Sequence, residues 1–418
     1  MAQLQTGLSR RDFIKGAVAG GVGVLAVTPD YAWAQTLLSG RTAAEVQGTG
    51  IPKGIVRLSY NENPIGPSPM AIEAIMGHAH EVHRYHASTN TRNPEQFLAR
   101  KLKRIHGVLA DLNLRNPDDQ KEAIRRQHIF VCHGSERILI AAVTKVLENG
   151  GGEVIEAAPA YGSVARTVGF LQSKGGAVEM VHVPLKAGNV HDLEAMQQAI
   201  TDRTRLVIIT NPNNPTGTLT PRDELERFIA AVPERVLIII DEAYIHFAEP
   251  GYQDAMDLGL KHKNVLVSRT FSKVYGLAGM RIGYALGPPA LFDYGFEFYA
   301  AKDWGSINRL AILAATAALD DKDHIRRSQE TIWQGKRYLY EEFDKLGLSY
   351  TPTQSSFMVV DMKQPSTPIV ARLREKNVFV RDADGPLGYV NLSNHIRISI
   401  GLMEENEAFI TALKGALG

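Results

Sequence analysis

One loop of the sequence combines an amine with groups that bind anions. The amine is that of Lys273, and the loop lies between two apolar stretches, 265–267 and 280–286, that predict buried strands. Hydroxyl and guanidinium groups accompany it: Thr270, Ser272 and Arg281. A lysine becomes a covalent nucleophile where its surroundings lower its pKa, and hydroxyls with an arginine suit a phosphate. Alone, the loop is equally consistent with a solvated lysine and ordinary turn caps.

Two upstream segments favour the chemical interpretation. An apolar strand predicted at 237–240 leads into Asp-Glu-Ala-Tyr at 241–244, which places a carboxylate where open α/β sheets bind ligands. Another, at 206–210, leads into Asn-Pro-Asn-Asn-Pro-Thr-Gly at 211–217, where two prolines exclude a helix. A Schiff-base lysine, a phosphate clamp and a carboxylate for a protonated ring nitrogen are together what pyridoxal phosphate requires.

Two further positions fit the same cofactor. Ser135 follows a glycine and precedes an apolar helix predicted at 138–147, and a helix N-terminus directs free N–H groups at an anion. An ordinary helix cap is the alternative for this serine. Tyr161 follows a strand predicted at 153–157, where an aromatic ring is placed to stack on a pyridine ring.

The order of these motifs resembles the fold-type I aminotransferases of class I and II, and within them the histidinol-phosphate aminotransferases. Marks of that subfamily are Asn-Glu-Asn-Pro at 61–64, His-Arg-Tyr at 83–85, Val-Arg-Asp at 380–382 and Ile-Arg-Ile-Ser at 396–399. The resemblance covers about residues 55–415. It implies an α/β fold with a mostly parallel, seven-stranded type of sheet in a large domain, a smaller α+β C-terminal domain, and a homodimer with shared active sites.

The resemblance also implies roles for individual residues. Lys273 would form the Schiff base and shuttle the substrate proton, Asp241 would keep the ring nitrogen protonated, and Tyr244 would bind the phenolic oxygen together with Asn214. The remaining cofactor contacts would come from Ser135, Glu136, Tyr161, Thr270, Ser272, Arg281 and, across the subunit boundary, Tyr85. Substrate contacts would come from Asn63, Ile65, Arg381 and Arg397. A core position is the alternative for Tyr85, and a structural salt bridge is the alternative for each arginine.

The chain departs from the subfamily at three places. Ile65 replaces a tyrosine that helps to hold the phosphate of histidinol phosphate, His86 replaces a proline, and the run 384–394 is long. Losing a charge-assisted hydrogen bond costs roughly 1.5–3 kcal/mol, so we expect an amino acid donor rather than histidinol phosphate. The side-chain class of that donor stays open.

The first residues predict export. Ser-Arg-Arg-Asp-Phe-Ile-Lys at 9–15 resembles a twin-arginine motif, and a small, apolar run at 16–27 and Ala-Trp-Ala at 32–34 follow it. We expect the export machinery to bind this segment, and a periplasmic mature protein to begin near Gln35. An uncleaved anchor is the alternative, but the run of about a dozen apolar residues is shorter than the roughly 20 that span a bilayer.

Composition limits the other classes. The net charge of +1 argues against a nucleic-acid partner, and a single cysteine, Cys132, allows no intramolecular disulfide. We expect no bound metal and no membrane span after the export segment. The predicted organisation is an export segment (1–34), an arm and small-domain segment (35–75), a large cofactor domain (76–310) and a small domain (311–418), with a long helix over 291–309 as the bridge.

The function predicted from the sequence is transfer of an amino group between an amino acid and a 2-oxo acid. Other reactions of the same cofactor, catalysed by a lyase, a racemase or an oxidase, share these motifs. A non-catalytic exported binding protein is a further alternative. The presence of Lys273, Asp241 and Tyr244 together argues against it, since a binding protein has no need to keep the lysine.

Overall fold

Thirteen strands are found in the part of the chain that the computed structural model describes, residues 54–84, 94–148, 150–300, 307–384, 389 and 392–418. The predicted export segment, Tyr85 and His86 lie outside these residues. The strands are β1 (Val56–Arg57), β2 (Ile129–Cys132), β3 (Gly152–Ala158), β4 (Val178–Pro184), β5 (Thr204–Thr210), β6 (Leu237–Asp241), β7 (Val265–Thr270), β8 (Gly283–Leu286), β9 (Ser349–Tyr350), β10 (Phe357–Asp361), β11 (Val378–Phe379), β12 (Arg381–Asp382) and β13 (His395–Ser399).

The helices alternate with the strands from β2 to β7. They are α1 (Pro69–His78), α2 (Pro94–Ile105), α3 (Pro117–Arg125), α4 (Ser135–Leu147), α5 (Ser163–Ser173), α6 (Leu193–Gln198), α7 (Arg222–Ala231), α8 (Met256–Lys261), α9 (Tyr294–Tyr299), α10 (Arg309–Ala318), α11 (Lys322–Lys345), α12 (Ser366–Glu375) and α13 (Met403–Leu417). Within the described residues, no helix is long and apolar enough to cross a membrane.

A seven-stranded sheet forms the centre of the fold, in the order β2-β8-β7-β6-β5-β3-β4. The pairs β4/β3, β3/β5, β5/β6 and β6/β7 are parallel, whereas β8 runs antiparallel to β7 and β2. The predicted α/β fold with a mostly parallel sheet is therefore confirmed. Because parallel strands end at the same edge, the loops after β3, β5, β6 and β7 meet there.

The apolar strands belong in this sheet because both of its faces are covered. Leu206 and Ile208 of β5 pack in one apolar cluster, and Val207 and Ile209 pack in another. Side chains alternate between the faces of a strand, so an unbroken apolar run serves both clusters. Full burial of one such side chain contributes roughly 1.5–3 kcal/mol.

A smaller antiparallel sheet has the order β12-β13-β10-β9. It comes entirely from the C-terminal part of the chain, while β1 pairs with β11 in a separate parallel ladder. Arg381 lies opposite Arg397 in the register of β12 and β13, so both side chains leave the same face. The predicted domain boundaries at 75 and 310 stay predictions.

Local sequence signals gave several elements correctly. The strands predicted at 153–157, 206–210 and 237–240 lie within β3, β5 and β6. Ser68 caps α1, and its hydroxyl accepts a hydrogen bond from the backbone N–H of Ala71 at 3.4 Å. Cys132 is buried.

The prediction of a long helix over 291–309 is wrong. Asp293 caps the short helix α9, which ends at Tyr299, and Asn308 caps a new helix, α10. The carboxylate of Asp293 accepts a hydrogen bond from the backbone N–H of Phe296 at 2.9 Å, so each segment has its own start signal. The strand predicted at 280–286 begins only at Gly283, because Arg281 is in the left-handed region with φ 51°.

The Lys273 loop is packed tightly against the loop at 61–67. Gly276 has φ +67°, and a Cβ added to it would lie 2.1 Å from the carbonyl oxygen of Gly66. Backbone atoms cannot move aside as the end of a flexible side chain can. The close approach of the two loops therefore requires glycine at this position.

We predict that Gly276→Ala lowers the free energy of unfolding by roughly 2 kcal/mol or more, because it adds both a steric clash and a strained backbone. Gly279→Ala is the matched control in the same loop, since a Cβ there would meet nothing within 4 Å. Urea denaturation of both variants measures the difference. Equal stabilities would contradict the close packing of the two loops.

Candidate active site

A cavity of about 900 Å³ lies at the edge of the large sheet where the parallel strands end. Twelve of the residues predicted to bind cofactor or substrate line it: Ser135, Glu136, Tyr161, Asn214, Asp241, Tyr244, Thr270, Ser272, Lys273, Arg281, Arg381 and Arg397. They come from separate loops of the large sheet and from the face of the small sheet. The volume is in the range of small-molecule sites.

Lys273 holds an amine with a lowered pKa inside this cavity. Its Nζ donates to the backbone oxygen of Asn61 at 3.0 Å and lies 5.1 Å from the centre of the Tyr244 ring. Desolvation lowers the pKa of the amine to about 8, and the positive charges of Arg397 and Arg281 act in the same direction. The amine is therefore partly unprotonated near neutral pH, as a nucleophile requires.

Asp241 is the carboxylate at the end of β6. It is buried, and its Oδ1 accepts a hydrogen bond of 2.7 Å from the hydroxyl of Ser268 on the adjacent strand β7. Burial raises the pKa of Asp241 to about 6, while the hydrogen bond from Ser268 and the charge of Lys273 oppose the rise. A buried acid of this kind is suited to hold a proton on a ligand nitrogen.

Tyr244 and Asn214 lie on the same side of the cavity but have different partners. The Tyr244 hydroxyl accepts a hydrogen bond of 3.2 Å from the side-chain amide of Asn61, and its ring packs edge-on against Phe357. The Oδ1 of Asn214 accepts one of 3.1 Å from Nη1 of Arg397. Asn214 is thus oriented by the arginine of the small sheet.

Hydroxyls, backbone N–H groups and an arginine form an anion cradle at the start of α4. The hydroxyl of Thr270 donates to that of Ser272 at 2.9 Å, and Nη1 of Arg281 donates to the Ser272 hydroxyl at 3.4 Å. The helix cap is Gly134, which has no side chain to satisfy the N–H groups of the first turn. Gly134 has φ +86°, which favours glycine, and a Cβ there would lie 2.9 Å from Nη2 of Arg281 and displace the end of that side chain.

Arg397 forms the opposite wall of the cavity and is only 6% exposed. Its Nη1 donates to the Tyr389 hydroxyl at 2.5 Å, and its Nη2 donates to the backbone oxygen of Ser59 at 2.7 Å. Its Nε has no hydrogen-bond partner among the described residues. Arg381 faces the same cavity from the neighbouring strand, which gives this wall two guanidinium groups.

Three predicted residues are not brought into this cavity by the described structure. The amide nitrogen of Asn63 donates to the backbone oxygen of Val274 and to the hydroxyl of Ser328, both at 2.8 Å, so it ties loops together. Ile65 is half-buried in the same loop and does not line the cavity. Tyr85 lies outside the described residues. The roles predicted for these residues stay predictions.

Sequence reasoning missed three residues of the site. Asn61, with φ 55°, bridges Lys273 and Tyr244; Ser268 orients Asp241; Tyr389 contacts Arg397. Asn61 had a local signal, because an asparagine before a proline-rich loop is a residue that accepts positive φ. Ser268 and Tyr389 had none that separates them from ordinary polar residues.

The comparisons with known proteins agree with this geometry. Residues 53–413 match the family described as aminotransferase class I and II. Histidinol-phosphate aminotransferase 1 of Nitrosococcus oceani is 38% identical over 366 residues, which cover 87% of this chain and 90% of that protein. Histidinol-phosphate aminotransferase 2 of Pseudomonas aeruginosa is 38% identical over 365 residues, which cover 87% and 89%.

A solved structure gives the same result for the fold. The histidinol-phosphate aminotransferase of Sinorhizobium meliloti, in complex with pyridoxal-5'-phosphate, matches with a TM-score of 0.72 and 26% identity. The match covers 94% of this chain and 95% of that chain. Together with the family match over most of the sequence, it confirms the resemblance carried by the motifs. The chain belongs to the class I and II aminotransferases.

Proposed function

We propose that this aminotransferase moves an amino group between an amino acid and a 2-oxo acid, with pyridoxal phosphate bound through Lys273. The observation that carries the proposal is the position of the Lys273 amine. It lies in one cavity with an anion cradle, a buried carboxylate and the guanidinium group of Arg397. Those three features fit the phosphate and ring nitrogen of the cofactor and the carboxylate of a substrate.

The residues of the cavity fit the cofactor at both of its polar ends. The start of α4 with Ser272 and Arg281 offers N–H, O–H and guanidinium donors, all of which suit a phosphate. Asp241 lies at the end of β6 with a fixed orientation, and Tyr161 borders the same space with its ring. When bound, pyridoxal phosphate supplies an aldehyde carbon that takes an amine and a ring that accepts the electron pair released at the substrate α-carbon.

Lys273 and Asp241 are the residues that we expect to control the protons of the reaction. Asp241, as a carboxylate, would hold the proton on the ring nitrogen, and the Ser268 hydroxyl fixes the orientation of that carboxylate. The Nζ of Lys273 would take the proton from the substrate α-carbon and return it to the acceptor carbon. Since Arg397 lowers the pKa of Lys273, a substrate carboxylate on Arg397 weakens that effect and makes the amine a stronger base.

The substrate needs an anionic group because Arg397 and Arg381 face the cavity from the small sheet. We infer that an α-amino acid carboxylate fills this role. Histidinol phosphate is the second candidate, since the two relatives that are 38% identical carry that name. Ile65 favours an amino acid as the substrate, because it replaces the tyrosine expected at this position in the subfamily.

We further propose that the protein works as an exported homodimer. Export is supported by the paired arginines, the weakly apolar run and Ala-Trp-Ala in the first 34 residues. The dimer is supported by the resemblance to a family whose two subunits share their active sites. Three large apolar side chains near the start of the described chain, Tyr60, Val82 and Phe97, are exposed in the single chain.

We predict that adding an amino acid without acceptor converts the bound cofactor to its amine form in the wild-type protein. In Lys273→Ala we expect loss of the visible absorbance of the lysine-bound cofactor and a fall in turnover of at least roughly 10²–10⁴-fold, which is the usual contribution of a positioned general base. Absorbance spectra and a coupled assay measure both. Lys174→Ala, at a surface lysine beside Phe170, is the control. Release of ammonia or peroxide by the wild type would favour lyase or oxidase chemistry instead.

A stopped-flow panel of amino acids and histidinol phosphate tests the substrate. We predict a faster half-reaction with at least one amino acid than with histidinol phosphate. Position 65 does not line the cavity of the single chain, so Ile65→Tyr tests the role that the resemblance assigns to it. A rise of roughly tenfold to hundredfold in the relative preference for histidinol phosphate, the effect of one charge-assisted hydrogen bond, would confirm that role. Faster reaction of the wild type with histidinol phosphate than with every amino acid would make that compound the substrate.

Replacing Arg10 and Arg11 together by Lys should trap the precursor in the cytoplasm, whereas Arg41→Lys should leave export unchanged. The exported protein should begin near Gln35 by N-terminal sequencing and sediment with twice the mass of one chain. Unchanged export of the double variant would show that the segment is not read as a twin-arginine signal. A monomer in solution would contradict the homodimer alone.

A further inference from the structure

A second carboxyl group borders the cavity beside Asp241. Glu156 lies on β3, where it pairs with Ile208 of β5, and Ile208 pairs in turn with Ile239 of β6. Asp241 is two residues beyond Ile239, so it leaves the same face of the sheet. The two carboxyl groups therefore flank β5 on the cavity side, and both line the cavity.

Among the described residues, the partners of Glu156 do not fully explain its burial. Only 3% of the residue is exposed, and its Oε2 has no hydrogen bond to any of the described residues. A buried polar atom without a partner costs about 1–3 kcal/mol. By contrast, Glu153 at the other end of β3 accepts hydrogen bonds from Thr201 and Thr204, at 2.5 and 3.1 Å.

The ionisable groups around Glu156 are of both signs. The cavity is shared with His182 from β4, Asp241 from β6, Glu136 from α4 and Lys273 from the loop after β7. Glu136 is engaged by Arg166, at 3.3 Å. Burial, and next the charge of Asp241, raise the pKa of Glu156 to about 8. Ionisation of Glu156 near neutral pH therefore needs an additional positive charge in the cavity.

We propose that Glu156 is a second carboxyl of the cofactor site, a positioning residue that acts with Asp241 to hold the proton on the pyridine nitrogen of bound pyridoxal phosphate. The inference rests on the proposed function. A protonated pyridine nitrogen beside Asp241 supplies the positive charge that Glu156 lacks in the protein alone. With the cofactor bound, Glu156 would ionise, and its negative charge would add to that of Asp241 in balancing the positive charge of the protonated ring nitrogen.

The test uses the holoenzyme with cofactor labelled with ¹⁵N in the ring. The ring-nitrogen chemical shift is followed from pH 6 to 9 in wild type, Glu156→Gln and Glu153→Gln. Glutamine keeps the size of glutamate and removes its charge. We expect the proton affinity of the ring nitrogen to fall about tenfold in Glu156→Gln and to stay unchanged in Glu153→Gln, the control on the same strand.

A double-mutant cycle with Asp241→Asn gives a second measurement through the cofactor dissociation constant. If both carboxyls hold the same proton, the double variant should bind cofactor at least tenfold more weakly than the two single effects predict. Additive effects together with an unchanged ring-nitrogen titration in Glu156→Gln would overturn the proposal. A wild-type protein that binds no cofactor would instead overturn the proposed function, so the two failures are distinguishable.

Discussion

The amine of Lys273 must lose its proton to act as a nucleophile, and it lies close to other cations. The charges of the rest of the site depend on this constraint. Arg397 and Arg281 both lower the pKa of Lys273, while Asp241 and Glu62 raise it. Each arginine is also expected to bind an anion: Arg397 a substrate carboxylate, and Arg281 a phosphate. Bound anions therefore do two things at once, since they gain attraction to the arginines and relieve the repulsion on the amine. The positive charges of the two arginines are balanced only when anions are bound in the cavity.

At the ends of β6 and β7, charged side chains are divided between the two faces of the large sheet. Asp241 and Thr270 face the cavity, whereas their neighbours Glu242 and Arg269 face the opposite side and pair at 2.7 Å. Arg269 also pairs with Asp254, at 2.6 Å. Removing one partner of such a buried pair costs about 3–5 kcal/mol, so the pair fixes β6 and β7 at the residues that carry the chemistry.

How much the sequence could predict depended on the range of the interactions involved. The strands and the motifs at 211–217 and 241–244 rest on neighbours along the chain, and these were found. The hydrogen bond of Asn61 to Tyr244 spans 183 residues, and that of Asn61 to Ser399 spans 338. No local pattern carries such pairings. The prediction of one helix over 291–309 failed for a different reason, because the side chains of Asp293 and Asn308 each cap a separate helix within that range.

Arg397 shows why the cavity selects an anion rather than any ligand of suitable size. The protein satisfies Nη1 through Asn214 and Tyr389 and Nη2 through Ser59, which fixes the plane of the guanidinium group. Within the described residues, Nε is left without a partner. A carboxylate gains the charge of a guanidinium group that the protein already holds in one orientation, so little side-chain ordering opposes its binding. Discrimination therefore arises from the charge of Arg397 together with the contacts that fix its plane.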